Sequence, residues 1–363
     1  MQPGVCAAQR CRVLAELAFS MVIGAPQRQG SHRRGLRYPT GRCRVSSLGF
    51  TARFMKIILP GGAGLVGQNL ITHLKRNGFT DLVVLDKHRS NLALCRDFHP
   101  EIVAEYADLA APGPWQRHFE GADVVVMLQA QIGHPRSEPF VRNNVTATEH
   151  LIEVIKRYKV TYTVHVSSSV VQSVATDEYT RTKREQERII LASGIDCVVL
   201  RPTLMFGWFD RKHLGWLSRF MKKIPIFPIP GNGRFMRQPL YAGDFCSIIV
   251  SCIQSRIAGQ VFNISGLERV DYIDIIGAIR RATGARTMIV KLPYPLFHAL
   301  LTVWSWFDRS PPFTPDQLQA LVADDEFEVI DWPGIFGVTP TPFAVAIDRT
   351  FNDPVYGHVV LDF

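Results

Sequence analysis

Three consecutive serines, Ser167, Ser168 and Ser169, close the apolar run Tyr162–Val166. Ten residues beyond Ser169 stands Tyr179-Thr180-Arg181-Thr182-Lys183. Four residues make about one helical turn, so Tyr179 and Lys183 share a helix face. A phenol beside an ammonium can act as a general base. Its ordinary pKa of about 10 must fall by roughly three units, about 4 kcal/mol, and a nearby cation favours the phenolate. Tyr179 would then take a hydroxyl proton while hydride leaves the same carbon. Ser169 would hydrogen-bond the reacting hydroxyl, with Ser168 the neighbouring candidate. A tyrosine four residues before a lysine recurs by chance, so the elements around the pair must carry the reading.

Those elements begin with Lys56-Ile57-Ile58-Leu59-Pro60-Gly61-Gly62-Ala63-Gly64-Leu65-Val66-Gly67. An apolar run stops at glycines and a helical pattern starts straight after them. The spacing predicts strand, tight turn and helix N-terminus. Gly61 allows the turn, Gly64 lets backbone approach a pyrophosphate and Gly67 lets helix pack on strand. The diphosphate would meet Leu65 and Val66 at the positive end of the helix dipole. A second apolar run, Leu82–Leu85, ends at Asp86, about 20 residues beyond the glycines, where a ribose-binding acid belongs. That carboxylate favours NAD over NADP, although Lys87 and Arg89 follow it. Asp108, with Leu109, follows a third run and could accept the adenine amino group. Gln129 follows a fourth and would lie beside the nicotinamide ribose, whereas Asn143 and Asn144 read as helix start or polar surface.

Strands are expected at 56–60, 82–86, 101–106, 123–128, 162–167 and 196–201. Helices are expected at 64–77, 114–119, 140–158 and 178–193. Strands nearly continuous in Val, Ile and Leu are buried on both faces, and their alternation with helices predicts a Rossmann-type doubly wound parallel sheet of the α/β class. Further on come a helix at 245–254 capped by Asp244, a returning strand Gln260–Ile264, a helix at 271–283, a strand at 287–291 and a last helix near 342–350. The apolar stretch 293–307 could line a pocket, lie on a membrane surface or pack between lobes, the last being preferred. The organisation expected is an extension over 1–54, a cofactor domain over 55–205 and a smaller substrate-binding region over 206–363, with 239–264 returning to the sheet.

The net charge of +9 is concentrated at one end: nine arginines and one acid, Glu16, in residues 1–54 account for +8 of it. The rest has no basic excess, which argues against nucleic-acid binding. Either 1–54 is a mitochondrial transit peptide or translation starts at Met55, the latter preferred; the protein is then cytoplasmic, and mitochondrial otherwise. No apolar run reaches the roughly 18 residues of a bilayer span. The seven cysteines have irregular spacing and no metal pattern, so free buried thiols and no metal are expected.

Together, GGAGLVG at 61–67, Asp86, Asp108, Ser167–Ser169, YTRTK at 179–183, RPTLMFG at 201–207 and GNGRFMRQPLYAGD at 231–244 resemble the extended short-chain dehydrogenase/reductase family. The resemblance is to its NAD-dependent epimerase/dehydratase branch. It implies an enzyme, an epimerase or oxidoreductase, that acts on a nucleotide sugar or similar hydroxyl compound by hydride transfer assisted by Tyr179. It also implies that Lys183 bonds the nicotinamide ribose, that Arg237 clamps the substrate diphosphate, and that two copies pair through helices 140–158 and 178–193. Pro60 replaces the usual Thr or Ser, the Ser169–Tyr179 gap is short, and three serines replace the Thr-Asp-Glu of sugar dehydratases, which argues against 4,6-dehydration. The segment Trp332-Pro333-Gly334-Ile335 and the last helix resemble a narrower group around the complex I accessory subunit of this fold. For that group the reading is a non-catalytic dinucleotide-binding assembly protein.

Overall fold

The computed structural model describes residues 55–307, 318 and 327–362, the side chains of 304–307 excepted; the extension 1–54 lies outside them. Seven parallel strands form the central sheet: β1 (Lys56–Pro60), β2 (Asp81–Asp86), β3 (Val103–Tyr106), β4 (Val124–Met127), β5 (Tyr162–Val166), β6 (Cys197–Pro202) and β8 (Gln260–Ile264). Their order is β8-β6-β5-β4-β1-β2-β3. The chain runs outward one way from β1 and then the other way from β4. The crevice between these two strands, at their carboxyl ends, is the switch point where such sheets bind ligands.

Side-chain alternation divides the core into two layers. Ile57 and Leu59 of β1 face one cluster with Leu70, Ile249 and Trp332, while Ile58 faces the other with Val125, Leu151 and Val199. The first layer is closed by α1 (Leu65–Arg76) and α6 (Ala242–Ser255), the second by α3 (Ala147–Arg157) and α4 (Glu178–Ala192). A smaller lobe is built from α5 (Leu214–Met221), α7 (Tyr272–Thr283), α9 (Phe343–Asn352) and the parallel pair β7 (Ile226–Pro230) and β9 (Met288–Leu292). Phe206, Leu217, Phe227, Ile276 and Ile347 fill it.

Four departures from expectation have local causes. A helix α2 (Arg89–Phe98) follows β2, with Asn91 buried and tied to the backbone of Asp362. Residues 114–119 form a 3-10 helix. The helix expected over 140–158 is interrupted by a single π-helical turn, Val141–Thr146, before α3. Asp244 does not cap the helix: it lies in the first turn of α6, where its carboxylate accepts from Thr341 N at 2.9 Å and Thr341 Oγ1 at 2.6 Å, tying down the C-terminal tail. The apolar stretch forms α8 (Tyr294–Phe307), and its packing is sparse, with Phe297 buried and Leu296, Leu300 and Val303 exposed.

Candidate active site

The glycine turn is fixed by contacts that leave no room for side chains. Gly61 has φ +76°, and a Cβ there would lie 2.5 Å from Gln129 N. A Cβ on Gly67 would lie 2.2 Å from Gly62 O, so this glycine lets the start of α1 sit on the turn. Gly64 differs: a Cβ there would meet nothing nearer than Gly61 O at 3.5 Å, and no side chain caps α1 at this residue. The first amides of α1, at Leu65 and Val66, therefore face an open cradle at the positive end of the helix.

Asp86, buried at the tip of β2, accepts from Ala63 N at 3.1 Å and His88 N at 3.0 Å. Its carboxylate thus holds the turn and keeps further acceptor capacity for ribose hydroxyls. Arg89 lies 4.1 Å over the Tyr106 ring, which occupies it beside this acid. Asp108 is engaged by Arg142, which holds its carboxyl below the usual range against the opposing effect of burial. Leu109 is buried in the second core layer.

Gln129 lies two residues beyond the end of β4, the strand next to β1. Its Nε2 donates to Thr148 Oγ1 at 3.3 Å, while its Oε1 is buried with no hydrogen-bond partner among the described residues. The open cradle and this orphaned acceptor are two observations that fit a dinucleotide lying across the switch point: amides for the diphosphate and an amide oxygen for a ribose hydroxyl.

Tyr179 is 9% exposed and packs with Phe140 and Val170. Burial pushes its phenol up, the Ser168 side chain beside it opposes this, and Asp177 adds to the rise. Ser168 also accepts from Val170 N at 3.4 Å, and Ser169 opens the 3-10 turn Ser169–Gln172. Lys183 does not reach toward the phenol. It is 1% exposed and donates to Gln186 Oε1 at 2.5 Å and Val166 O at 3.2 Å. Burial pulls its ammonium down to about 7, with Glu187 opposing. The phenol in this state is therefore protonated, and the lysine is poised near neutrality.

A second tier of polar groups, unforeseen as a set, supports these two. Gln186 Nε2 donates to Thr148 Oγ1 at 2.9 Å, and Thr148 donates to Asn144 O at 2.7 Å in the π-helical turn. Asn144 is fully buried rather than surface: its Oδ1 accepts from Gln131 N at 2.6 Å and its Nδ2 donates to Thr182 Oγ1 at 3.0 Å. Thr148 thus connects Gln129 to Gln186 and so to Lys183. Behind them Ser167 Oγ donates to Glu187 Oε2 at 2.5 Å, and Arg201 Nε donates to both Glu187 oxygens at 3.1 and 3.0 Å. The signal for Glu187 was its place one turn after Lys183; nothing local marked Thr148.

Arg237 lies apart from the phenol. It donates to Met236 O at 2.7 Å and, with Leu204, His213, Gln238, Tyr272 and Phe327, lines a cavity of about 60 Å³. A larger cavity of about 190 Å³ lies under the C-terminal tail, beside Asp244, Trp332 and Phe343. No cluster of metal-ligating side chains occurs among the described residues, and the four described cysteines are free and buried.

The sequence matches the NAD dependent epimerase/dehydratase family over residues 57–265, and the chain belongs to that family. It is 23% identical to the ceramide reductase of Caulobacter vibrioides over 260 residues, 70% of this chain and 80% of the relative. It is 24% identical to NADH dehydrogenase (ubiquinone) 1 alpha subcomplex subunit 9 of Mus musculus, over 340 residues covering 90% of this chain and 85% of that one. The fold resembles that of the Bacillus cereus UDP-glucuronic acid 4-epimerase, solved with UDP-glucuronic acid and NAD. Their TM-score is 0.63 at 20% identity, over 81% of this chain and 98% of the other.

Proposed function

We propose that this member of the NAD-dependent epimerase/dehydratase family is an enzyme that oxidises or reduces a secondary carbon bearing oxygen, with NAD as its cofactor. The observation that carries the reading is the placement of the Tyr179 phenol against the Ser168 hydroxyl, in the sheet's switch-point half that also holds the open Gly64 cradle and the orphaned Gln129 acceptor. Gly61, Gly64, Leu65, Val66, Gly67, Asp86 and Gln129 would hold the dinucleotide, with Asp108 and Leu109 at the adenine end. NAD, when bound, supplies a hydride acceptor. As a phenol, Tyr179 can give its proton to a carbonyl oxygen while that carbon is reduced. In the oxidative direction it must first release its own proton to solvent, which nearby positive charge favours, before it takes that of the substrate hydroxyl. Ser168 holds the oxygen in line. Ser169 stands at the lip of the turn as the second hydroxyl within the same loop.

Lys183 supplies positive charge behind this pair, held ready by Gln186 and Val166 O. Phe140 and Val170 pack against Tyr179 and give the ring an apolar setting. Arg237 fits an anionic group of the substrate, since a guanidinium fork matches phosphate oxygens. A nucleotide sugar is the substrate class that the Bacillus cereus likeness and this arginine favour together.

The test is turnover of residues 55–363 with NAD and a panel of UDP-, GDP- and dTDP-sugars, beside Tyr179→Phe. Turnover abolished by the substitution is the expected outcome. Tight NAD binding with no turnover on any member, in either protein, would favour a second reading, a dinucleotide-binding assembly subunit. That reading draws on the match to the mouse mitochondrial subunit, which spans 90% of this chain.

A further inference from the structure

The helix α8 has an apolar composition suited to a core and a position that is not in one. Among Tyr294–Val303 only Phe297 is buried, with Leu301 and Thr302 half-buried. Leu296, Leu300 and Val303, spaced at i, i+4 and i+7, are 48%, 53% and 44% exposed. Tyr294 at the start of the helix is 37% exposed. Such a stripe on a surface is a contact face, because water-exposed apolar side chains at helical spacing gain free energy from any apolar partner. In the strand pair that leads into the helix, Ile226 pairs with Met288, and both are about half exposed, at 49% and 57%.

Charge on the same lobe identifies the partner. Residues 211–243 and 275–307 contain no aspartate or glutamate. They contribute Lys222, Lys223, Arg280, Arg281, Arg286 and Lys291 as exposed cations. The chain from residue 55 onward has a net charge of only +1, whereas these two segments carry +7 and +4, so its positive charge is concentrated in the segments that flank and include the apolar helix. Exposed leucines with flanking Lys and Arg are the combination that seats a helix in the plane of an anionic lipid surface. No helix among the described residues is long and apolar enough to cross a membrane.

We propose that α8 lays the C-terminal lobe on an anionic lipid bilayer, its leucines in the acyl boundary and its neighbouring cations among the headgroups. This proposal does not depend on the catalytic reading. The test is co-sedimentation of the full chain with phosphatidylcholine vesicles, with and without phosphatidylglycerol, for the native protein and for Leu296→Asp combined with Leu300→Asp. Both leucines are exposed, so the pair should melt at the native temperature. The native protein should pellet with the anionic vesicles and be released by salt, and the double variant should partition about tenfold more weakly. Lys222→Glu combined with Lys223→Glu, remote from the packing of α8, should weaken binding to the anionic vesicles alone. The proposal is overturned if the native protein stays in solution, or if it pellets equally well with both leucines replaced. It is equally overturned if gel filtration shows a dimer that the leucine substitutions split, since the face would then join two copies.

Discussion

Replacing Lys183 with methionine tests the electrostatics of the site through stability alone. The ammonium is 1% exposed and burial lowers its pKa from 10.5 to about 7. A folded-state pKa below the unfolded one means that the unfolded chain holds more protons between these values. Stability therefore rises with pH from about 7 to about 10.5, and the burial penalty is fully present below 7. Integrating the linkage between pH 6 and pH 9 gives a gain of about 3 kcal/mol from this one residue. Methionine keeps the length of the side chain and removes the titration. Urea unfolding of the cofactor-free protein at a series of pH values should give native and variant curves that converge on the alkaline side. They should separate by about 3 kcal/mol on going to pH 6, where the variant gains on the native protein. Parallel curves would refute the reasoning, because they would mean that the ammonium is not the group paying the desolvation cost.

Three further outcomes follow from contacts already described. Asp86→Asn keeps an oxygen for Ala63 N but loses the charge, so NAD should bind about tenfold more weakly by calorimetry while NADP loses its repulsion. Glu187→Gln leaves the Arg201 guanidinium facing a neutral amide in a largely buried site and should cost about 3 kcal/mol in denaturant unfolding. Gly67→Ala drives a Cβ against Gly62 O and should cost about 3 kcal/mol in the same assay, whereas Gly64→Ala, with open space before it, should leave stability within about 1 kcal/mol and weaken NAD binding instead.

Much of the dinucleotide half was legible because each feature is local. A glycine turn between a buried strand and a helix, an acid at the end of the next strand, and a tyrosine one turn from a lysine are patterns within a dozen residues. What could not be read depends on distant partners. Asn144 looks like surface in sequence, yet a π-helical turn rotates it inward to Gln131 and Thr182. The helix Arg89–Phe98 carries a thin apolar pattern and is held by Asp362, 271 residues away. The immediate partners of Lys183 were out of reach of the sequence for a similar reason. Helical spacing places it on the face of Tyr179, and without a cofactor its ammonium donates to Gln186 on its own helix and to the carbonyl of Val166. Likewise the serine beside the phenol is set by the 3-10 turn that starts at Ser169, which sequence spacing does not reveal.

The account stands on a dinucleotide lying from the Gly61–Gly67 turn to Gln129, with its reactive ring at the Tyr179 phenol. A crystal structure of the protein soaked with NAD measures this directly. It should place the diphosphate on the amides of Leu65 and Val66, a ribose hydroxyl on Gln129 Oε1, and the nicotinamide beside Tyr179 and Ser168. A cofactor found elsewhere, or a glycine turn that stays bare at saturating NAD, would contradict it.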